Sequence, residues 1–288
     1  MAMASNNRPS KAERTSAARE QARLLHEQQA AAAKRKSLLV KIGVVLAVVL
    51  VIGLIAMIIL QNSRGEVAES GPAPKGGNEY GGITLVSDTE VAPTSGVTVD
   101  WAALGEVPEG EQETKPRGVA AAEKGQPAQV VIYVDANCVH CAEFESAYAE
   151  QLKTWVAAKD ITLEYRNVAY LDRNSSTNYS SRGANAFACV ADAAPASYLP
   201  FAEAVFAHHS QGEMSNKELA DLAKANGADV SGCIEDGTFR PFVKFTDTAS
   251  RIDAIPGTPS VWVQGKVWDA AADEDFAAWA QKLIDDNK

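Results

Sequence analysis

The chain has 288 residues, of which 46% are hydrophobic and 22% are charged, so its composition excludes both an intrinsically disordered protein and one embedded entirely in a membrane. Its formal net charge of −10 is unevenly distributed, because residues 1–60 carry +6 and residues 61–288 carry −16. Binding to nucleic acid requires clustered cations, so the acidic larger part argues against that function.

Residues 42–60 form an uncharged run of 19 amino acids, rich in Val, Ile and Leu and without proline. A helix rises about 1.5 Å per residue, so this run is about 28 Å long and could cross the hydrocarbon core of a bilayer. Residues 34–36 are all basic, and the positive-inside rule predicts a cytoplasmic tail at 1–41 and an extracytoplasmic bulk. A cleaved signal peptide is the alternative, but its apolar region would span only about 7–15 residues. We therefore predict a single-pass anchor in the cell membrane.

Residues 61–124 are rich in Gly, Pro and acidic side chains, a composition that predicts an extracytoplasmic linker. Short strands are predicted within it near 83–86 and 97–99. The folded domain is predicted to cover the remaining residues, 125–288.

A Cys-x-x-Cys motif, residues 138–141, follows the most strand-like segment of the chain. Residues 130–134 are continuously apolar and mostly β-branched, which predicts a buried central strand. Asn137 is predicted to cap the helix that follows, in which apolar residues recur every three or four positions. The motif is therefore predicted to lie on the first turn of an amphipathic helix.

That placement predicts different roles for the two thiols. Unpaired N–H groups and the dipole at a helix N-terminus stabilise an anion, so Cys138 is predicted to be an activated thiolate and the attacking sulfur. His140 can add a positive charge or a hydrogen bond beside it. Cys141, on the core-facing side, would resolve the mixed disulfide, and a stabilised reduced form makes the disulfide a stronger oxidant.

Other uses of the motif are less well supported by its surroundings. A zinc site would need four ligands, and neither a second Cys-x-x-Cys nor a His-x-His is near. A copper site through Cys138, His140 and Cys141 remains open, whereas a purely structural disulfide would close too short a loop to gain much entropy. We predict neither a metal nor a cofactor.

A second motif, Thr258-Pro259, leads into a predicted strand at 260–263, and Gln264-Gly265 forms a two-residue hairpin turn after it. Proline is tolerated at the first residue of a strand, and a cis bond there would expose the preceding backbone. An ordinary trans bond is the alternative.

Together these motifs resemble those of the thioredoxin fold: a strand that runs into Cys138–Cys141 at a helix start, Thr258-Pro259 before a hairpin, and a final helix with Phe276. The long stretch between them is similar to the DsbA-like branch, and the anchor makes the chain resemble the membrane-tethered DsbA-like oxidases of Gram-positive bacteria. The resemblance implies an α/β, thioredoxin-like fold with an inserted helical domain at about 175–251, preceded by one transmembrane helix.

The resemblance also implies roles for individual residues. Cys138 would be the nucleophile and Cys141 the resolving thiol, while Thr258 and Pro259 would dock the substrate peptide. The implied function is disulfide donation to reduced exported polypeptides by a monomeric catalytic domain. A quinone-linked membrane protein, DsbB-like or VKOR-like, would reoxidise it.

Two residues depart from the family pattern. Val139 stands where the family often has proline, which would shift the redox potential. Ile132 stands where many thioredoxin-fold enzymes place a buried acid that handles the resolving cysteine's proton. Asp135 is nearby, but we expect it to face solvent at the end of the strand.

The predicted insertion contains the other two cysteines, Cys189 and Cys233. Outside the cytoplasm such cysteines commonly pair, so a structural disulfide is predicted. Two free thiols and a regulatory or shuttle pair are the alternatives. His208 and His209 are interpreted as helix-end or surface residues without a catalytic role.

Three functions are compatible with this sequence. The first is an oxidase of exported proteins, and the second is a disulfide reductase or isomerase of the cell envelope. The third is a tethered thioredoxin-fold module that binds a metal or a protein without turnover.

Overall fold

A computed structural model describes Glu20, Arg23, Gly43 and residues 48–53, 66–94, 96–272 and 275–288. The chain divides into two units, Met1–Glu66 and Val67–Lys288. In the first unit, residues 48–53 are helical and Val48 to Ile52 are exposed. The predicted anchor at 42–60 lies largely outside the described residues, and among those described no helix is both long and apolar enough to cross a bilayer.

The second unit combines a central sheet with helices, as the thioredoxin-like prediction requires. Its strands are β1 (Ser70–Pro72), β2 (Ile83–Leu85), β3 (Thr98–Asp100), β4 (Ala128–Val134), β5 (Ile161–Asn167), β6 (Ser260–Val263) and β7 (Lys266–Val267). Its helices are α1 (Val139–Ala157), α2 (Tyr179–Ala193), α3 (Tyr198–His208), α4 (Asn216–Ala225), α5 (Ser231–Asp236), α6 (Arg240–Ile252) and α7 (Phe276–Asn287). Short 3-10 turns occur at Ala102–Leu104, Tyr170–Asn174, Pro195–Ser197 and His209–Gln211.

The central sheet has the strand order β2-β5-β4-β6-β7. Strands β4 and β5 are parallel, and the other neighbours are antiparallel. Both faces of β4 are covered, because Val130, Ile132 and Val134 join the main core while Val131 and Tyr133 join a second cluster on the other face. This explains why the strand is a continuous apolar run rather than an alternating one.

Helix α1 is held by aromatic packing against the C-terminal helix. The rings of Phe144 and Phe276 have centroids 5.1 Å apart, and Tyr148 lies at the same distance from Phe276. The Nε1–H of Trp155 donates to Gln281 over 2.8 Å. These contacts fix α1, and with it the start of the helix where the dithiol lies.

The segment predicted as a linker at 61–124 is, from residue 67 onwards, part of the second unit. Strand β2 pairs with β5 at the edge of the central sheet, and β1 pairs with β3 in a separate two-stranded sheet. The strands predicted near 83–86 and 97–99 are thus present, but the linker prediction needs correction. Glycine serves close packing here, since a Cβ on Gly82 would collide with the carboxylate of Glu164.

Glu164 belongs to a buried polar group that the same segment covers. Its carboxylate receives Arg166 Nε at 2.6 Å and Asn78 Nδ2 at 3.0 Å. Arg166 also donates to the Tyr133 hydroxyl at 2.6 Å, on the neighbouring strand β4. Buried charges need such partners, so the segment 67–124, which supplies Asn78, completes the fold of the second unit.

Helices α2 to α6 lie between β5 and β6 and form the predicted helical insertion. Cys189 on α2 is bonded to Cys233 on α5, which confirms the predicted disulfide. Asn185 supports the same junction, because its Oδ1 accepts the backbone N–H of Phe239 at 2.8 Å. The insertion is therefore held together by a disulfide and by a hydrogen bond.

Candidate active site

The dithiol lies at the junction of β4 and α1, as predicted, but the cap of the helix differs. Cys138, not Asn137, is the N-cap residue of α1. Asn137 stands one position earlier, where its backbone N–H donates to Asp135 Oδ1 at 2.9 Å and its amide donates to Glu213 Oε1 at 3.2 Å. The sulfur of Cys138 therefore occupies the position from which a side chain can face the free N–H groups of the first turn.

Burial distinguishes the two cysteines, both of which are free thiols. Cys138 is 6% exposed and Cys141 is fully buried. An incoming sulfur can therefore reach Cys138 alone, in agreement with the predicted order of attack.

The environment of Cys138 strongly favours its thiolate. A hydrogen bond from the Cys141 thiol is the largest influence that lowers the pKa of Cys138, which falls from 9.0 to about 5 against the opposing effect of burial. Thr258 and the backbone N–H groups of Cys141 and His140 act in the same direction. The Cys141 thiol and, to a smaller extent, the N–H groups of the helix start thus favour the thiolate of Cys138.

Cys141 has the opposite character. Burial is the main reason that its pKa is raised well above its usual value, and the nearby Cys138 raises it further. At neutral pH Cys141 is therefore a thiol while Cys138 is a thiolate. This is the division of labour expected of a resolving thiol and a nucleophile.

The two residues between the cysteines are both exposed, and the side chain of Val139 is 47% accessible. The Nδ1 atom of His140 lies 2.9 Å from Glu143 Oε2, and this contact raises the pKa of His140. Its ring is thus bonded to Glu143 rather than to the thiolate, and Cys138 adds only a small electrostatic effect. The clearer contribution of His140 to the thiolate is its backbone N–H.

The loop before β6 brings the predicted substrate-binding residues to the nucleophile. The Thr258–Pro259 peptide bond is cis, one of the two states left open by the sequence. The Sγ atom of Cys138 lies 3.2 Å from the Thr258 carbonyl oxygen, although 120 residues separate them. A peptide that reaches Cys138 must therefore also pass the edge of this loop.

Asp135 is buried, contrary to the expectation that it faces solvent. The peptide N–H groups of Asn137 and Leu171 donate to its two carboxylate oxygens at 2.9 and 3.0 Å. Burial is the main cause that raises the pKa of Asp135 to about 6, and the charge of Cys138 contributes. Ile132 is a core residue, and Asp135 is a buried acid beside the dithiol.

The helical insertion also contacts the active-site loop through two residues that the sequence analysis did not select. His209 Nε2 lies 3.2 Å from the carbonyl oxygen of Asn137, the residue before the nucleophile. Glu213 accepts from Asn137 and, at 2.6 Å, from Thr177 Oγ1. His208 is the last residue of α3 and His209 is its C-cap residue, which agrees with their interpretation as helix-end residues, and His209 is also half-buried.

Comparison with known proteins agrees with this geometry. The family model described as Thioredoxin matches residues 116–286, more than half of the sequence. The chain belongs to the thioredoxin family.

Among solved structures, this thioredoxin-family protein is similar to oxidised DsbA of Mycobacterium tuberculosis, with 26% identity and a TM-score of 0.50 over 59% of this chain and 89% of that one. It is also similar to MdbA, a thiol-disulfide oxidoreductase of Actinomyces oris, at 26% identity and a TM-score of 0.49 over 56% and 81% of the two chains. The fold is thus DsbA-like.

A third relative is the serine/threonine-protein kinase PknE of Mycobacterium tuberculosis, 31% identical over 159 residues. The match covers 50% of the thioredoxin-family chain and 28% of the kinase. The chain therefore spans little more than a quarter of the length of this curated relative.

In the part of this thioredoxin-family protein that the structure describes, no group of three or more His, Cys, Asp or Glu side chains is arranged to hold a metal ion. The three residues considered as copper ligands, Cys138, His140 and Cys141, do not form such a group among the described residues, and the His140 ring contacts Glu143.

The low pKa of Cys138 predicts how the reduced thioredoxin-family protein responds to pH. Its folded pKa of about 5 lies below the ordinary value of 9.0, so the thiolate stabilises the reduced fold fully above about pH 9, and this stabilisation is lost as the pH falls through about 5. The reduction potential should fall by about 59 mV per pH unit below pH 5 and by about 30 mV above it, because only one proton is then taken up with the two electrons.

Ultraviolet absorbance of the thiolate during a pH titration measures this transition. We expect a midpoint near pH 5 that is absent in the Cys138→Ala variant. A midpoint near the ordinary thiol value would contradict the site geometry.

Proposed function

We propose that this protein is a membrane-tethered, extracytoplasmic thiol–disulfide oxidoreductase that donates disulfide bonds to exported polypeptides. The observation that carries the proposal is the asymmetry of the dithiol: Cys138 is reachable and stabilised as a thiolate beside Thr258, whereas Cys141 is buried and protonated. Disulfide donation needs a sulfur that can be attacked and that leaves easily, and Cys138 meets both needs.

The proposed reaction is a two-step exchange. A thiolate of the reduced polypeptide attacks Cys138 Sγ of the Cys138–Cys141 disulfide, the bond to Cys141 breaks, and Cys141 takes up a proton. The second thiolate of the polypeptide then attacks the first polypeptide sulfur, which is bonded to Cys138 in the mixed disulfide. A disulfide forms within the polypeptide, and Cys138 is released as a thiolate. Two electrons pass from the polypeptide to the dithiol, and one of the two substrate protons is released to water.

The extracytoplasmic location is supported by the second cysteine pair. The Cys189–Cys233 bond is formed within the fold, and such bonds persist in oxidising compartments outside the cytoplasm. The uncharged run at 42–60, preceded by basic residues, supports an anchor with a cytoplasmic N-terminus. We propose further that a quinone-linked membrane protein reoxidises the dithiol, because each donation leaves it reduced.

The direction of exchange separates the oxidase from the reductase or isomerase. A stabilised Cys138 thiolate favours the reduced protein and so makes its disulfide oxidising. At equilibrium with glutathione we expect a reduction potential of about −180 mV or higher, whereas a value near about −270 mV would indicate a reductase.

Disulfide donation can be tested with the full-length oxidised protein and an equimolar amount of a reduced, unfolded two-cysteine protein. We expect one disulfide to be transferred per molecule while Cys138 and Cys141 become reduced. No transfer over a time in which glutathione disulfide oxidises the same substrate would overturn the proposed function.

A further inference from the structure

A groove of about 640 Å³ opens beside the active site and is not used by the exchange chemistry described above. It runs between α1 and the end of α3, and Val139, directly after the nucleophile, forms one end of its wall. Its volume is within the range of about 300–1,000 Å³ common for ligand-binding clefts. The groove is thus large enough for a side chain and is placed where a polypeptide joined to Cys138 would lie.

The groove is acidic. Glu143, Glu145, Glu150 and Glu203 line it, and no Lys or Arg does so among the residues that the structure describes. Two of these carboxylates have basic neighbours, because Glu143 contacts His140 and Glu150 lies 3.8 Å from Lys153. Glu203 is exposed and has no ion pair in the described part of the chain.

Glu145 is the most unusual of the four. Its side chain is only 4% exposed, and although Tyr165 forms a hydrogen bond with its carboxyl group, the Oε1 atom has no hydrogen-bond partner within the described structure. Buried carboxylate oxygens are almost always hydrogen-bonded, so an unpartnered one in the wall of a groove indicates a missing donor. Burial is the main cause that raises the pKa of Glu145 to about 7, against an opposing hydrogen bond from Tyr165 and with a smaller contribution from Glu203, so an arriving cation would favour its ionised form.

The apolar part of the wall indicates what kind of cation fits. Ala142, Ala147 and Phe206 line the groove between the carboxylates. Lysine and arginine combine an aliphatic stem with a charged end, so they can contact such a wall and still reach a carboxylate. A metal ion would leave the apolar wall without a contact.

We propose that this groove binds a lysine or arginine side chain of the reduced polypeptide while its cysteine reacts with Cys138. The proposal rests on the proposed function and adds a preference for cysteines with a basic residue nearby. Glu145 and Glu203 are the carboxylates that receive the cation. Neither takes part in the exchange of sulfur, so both act on specificity alone.

The preference can be measured with two reduced dithiol peptides that differ only in an Arg or a Glu a few residues from the first cysteine. With the full-length oxidised protein at low ionic strength, we expect kcat/KM to be about tenfold higher for the Arg peptide, as for a charge-assisted hydrogen bond. The ratio should shrink as salt is added. Equal values for the two peptides would overturn the proposal.

Two variants locate the effect. Glu203→Gln changes an exposed side chain, and Glu145→Gln is nearly isosteric. Both variants should lower the ratio of kcat/KM between the Arg and Glu peptides severalfold. Neither should change the thiolate titration of Cys138. Glu106→Gln, which removes the same charge from an exposed position outside the groove, should leave the ratio unchanged. An equal loss in the control variant, or none in Glu203→Gln, would contradict a local site.

A direct binding measurement separates this proposal from the proposed function. Cysteine-free versions of the two peptides, with Ser in place of Cys, can be titrated by fluorescence anisotropy. If no peptide is oxidised, the proposed function fails, and tighter binding of the Arg version would still support the groove. If the peptides are oxidised but the Ser versions bind equally, the groove proposal fails alone.

Discussion

Replacing Cys138 with Ala is expected to reduce the rate of disulfide exchange by about a thousandfold or more, because it removes the one sulfur of the dithiol that a substrate thiolate can reach. Cys141 cannot take its place, since it is fully buried and burial raises its pKa well above the usual value. The measurement is the rate at which a reduced peptide is oxidised by the full-length protein in a glutathione buffer. Substantial exchange by the Cys138→Ala variant would contradict the assignment of the nucleophile.

The complementary change, Cys141→Ala, should have a different result. Cys138 remains reachable, so a mixed disulfide with substrate can form, but no resolving thiol can release it. We expect a covalent complex that runs as a larger band in non-reducing electrophoresis and disappears with reductant. The double variant, without either thiol, is the control and should form no complex.

Removing the second cysteine pair is expected to affect stability and not chemistry. The Cys189–Cys233 bond joins residues 44 positions apart, and a loop of that size corresponds to about 4 kcal/mol of free energy of unfolding in the chain-entropy model. We expect the variant with Ala at both positions to lose about that amount in chemical denaturation. The pair ties α2 to α5 and so holds the helical insertion together.

Two controls make this result specific. The thiolate titration of Cys138 should be the same in the Ala variant, because the bond joins α2 to α5 whereas the dithiol lies at the start of α1. Full reduction of the wild-type protein should cause a similar loss, whereas reduction of Cys138–Cys141 alone should not. A loss below about 1 kcal/mol would show that the bond is dispensable, and a shifted titration of Cys138 would show that it regulates the site.

The features that the sequence predicted correctly are local or have strong chemical signatures. The strand before Cys138, the helix after it and the turn at Gln264-Gly265 depend on residues within a few positions of one another. The pairing of Cys189 with Cys233 followed from their shared subdomain and from chemistry. The thioredoxin-like fold with its helical insertion was implied by the family that these motifs resemble.

The features that were missed depend on distant partners. Asp135 looks solvent-exposed at the end of its strand, but its carboxylate is covered because the N–H of Leu171, 36 residues away, donates to it. His209 is a helix-end residue as interpreted, but the fold also brings its ring to the Asn137 carbonyl, 72 residues away. Nothing in the local sequence specifies such contacts.

Residues 67–124 show in the same way that local composition cannot predict contacts with distant residues. Glycine and proline predict a linker, yet Gly81 and Gly82 allow close approach to the folded domain, where Thr246 Oγ1 donates to the Gly81 carbonyl over 2.8 Å. A glycine in a flexible loop and a glycine in a tight packing contact cannot be told apart in a sequence. They differ only in whether another part of the folded domain packs against them.

The redox state of Cys138 and Cys141 in growing cells tests the central claim most directly. Thiols are trapped by acid quenching and alkylated with a reagent that adds mass, and the full-length protein is then resolved by electrophoresis. The variant with Ala at both 138 and 141 carries no label at this pair and is the reference for the oxidised state. A disulfide donor supplied by a reoxidising partner should be mostly oxidised at this pair. A pair found mostly reduced would contradict the oxidase function and indicate a reductase.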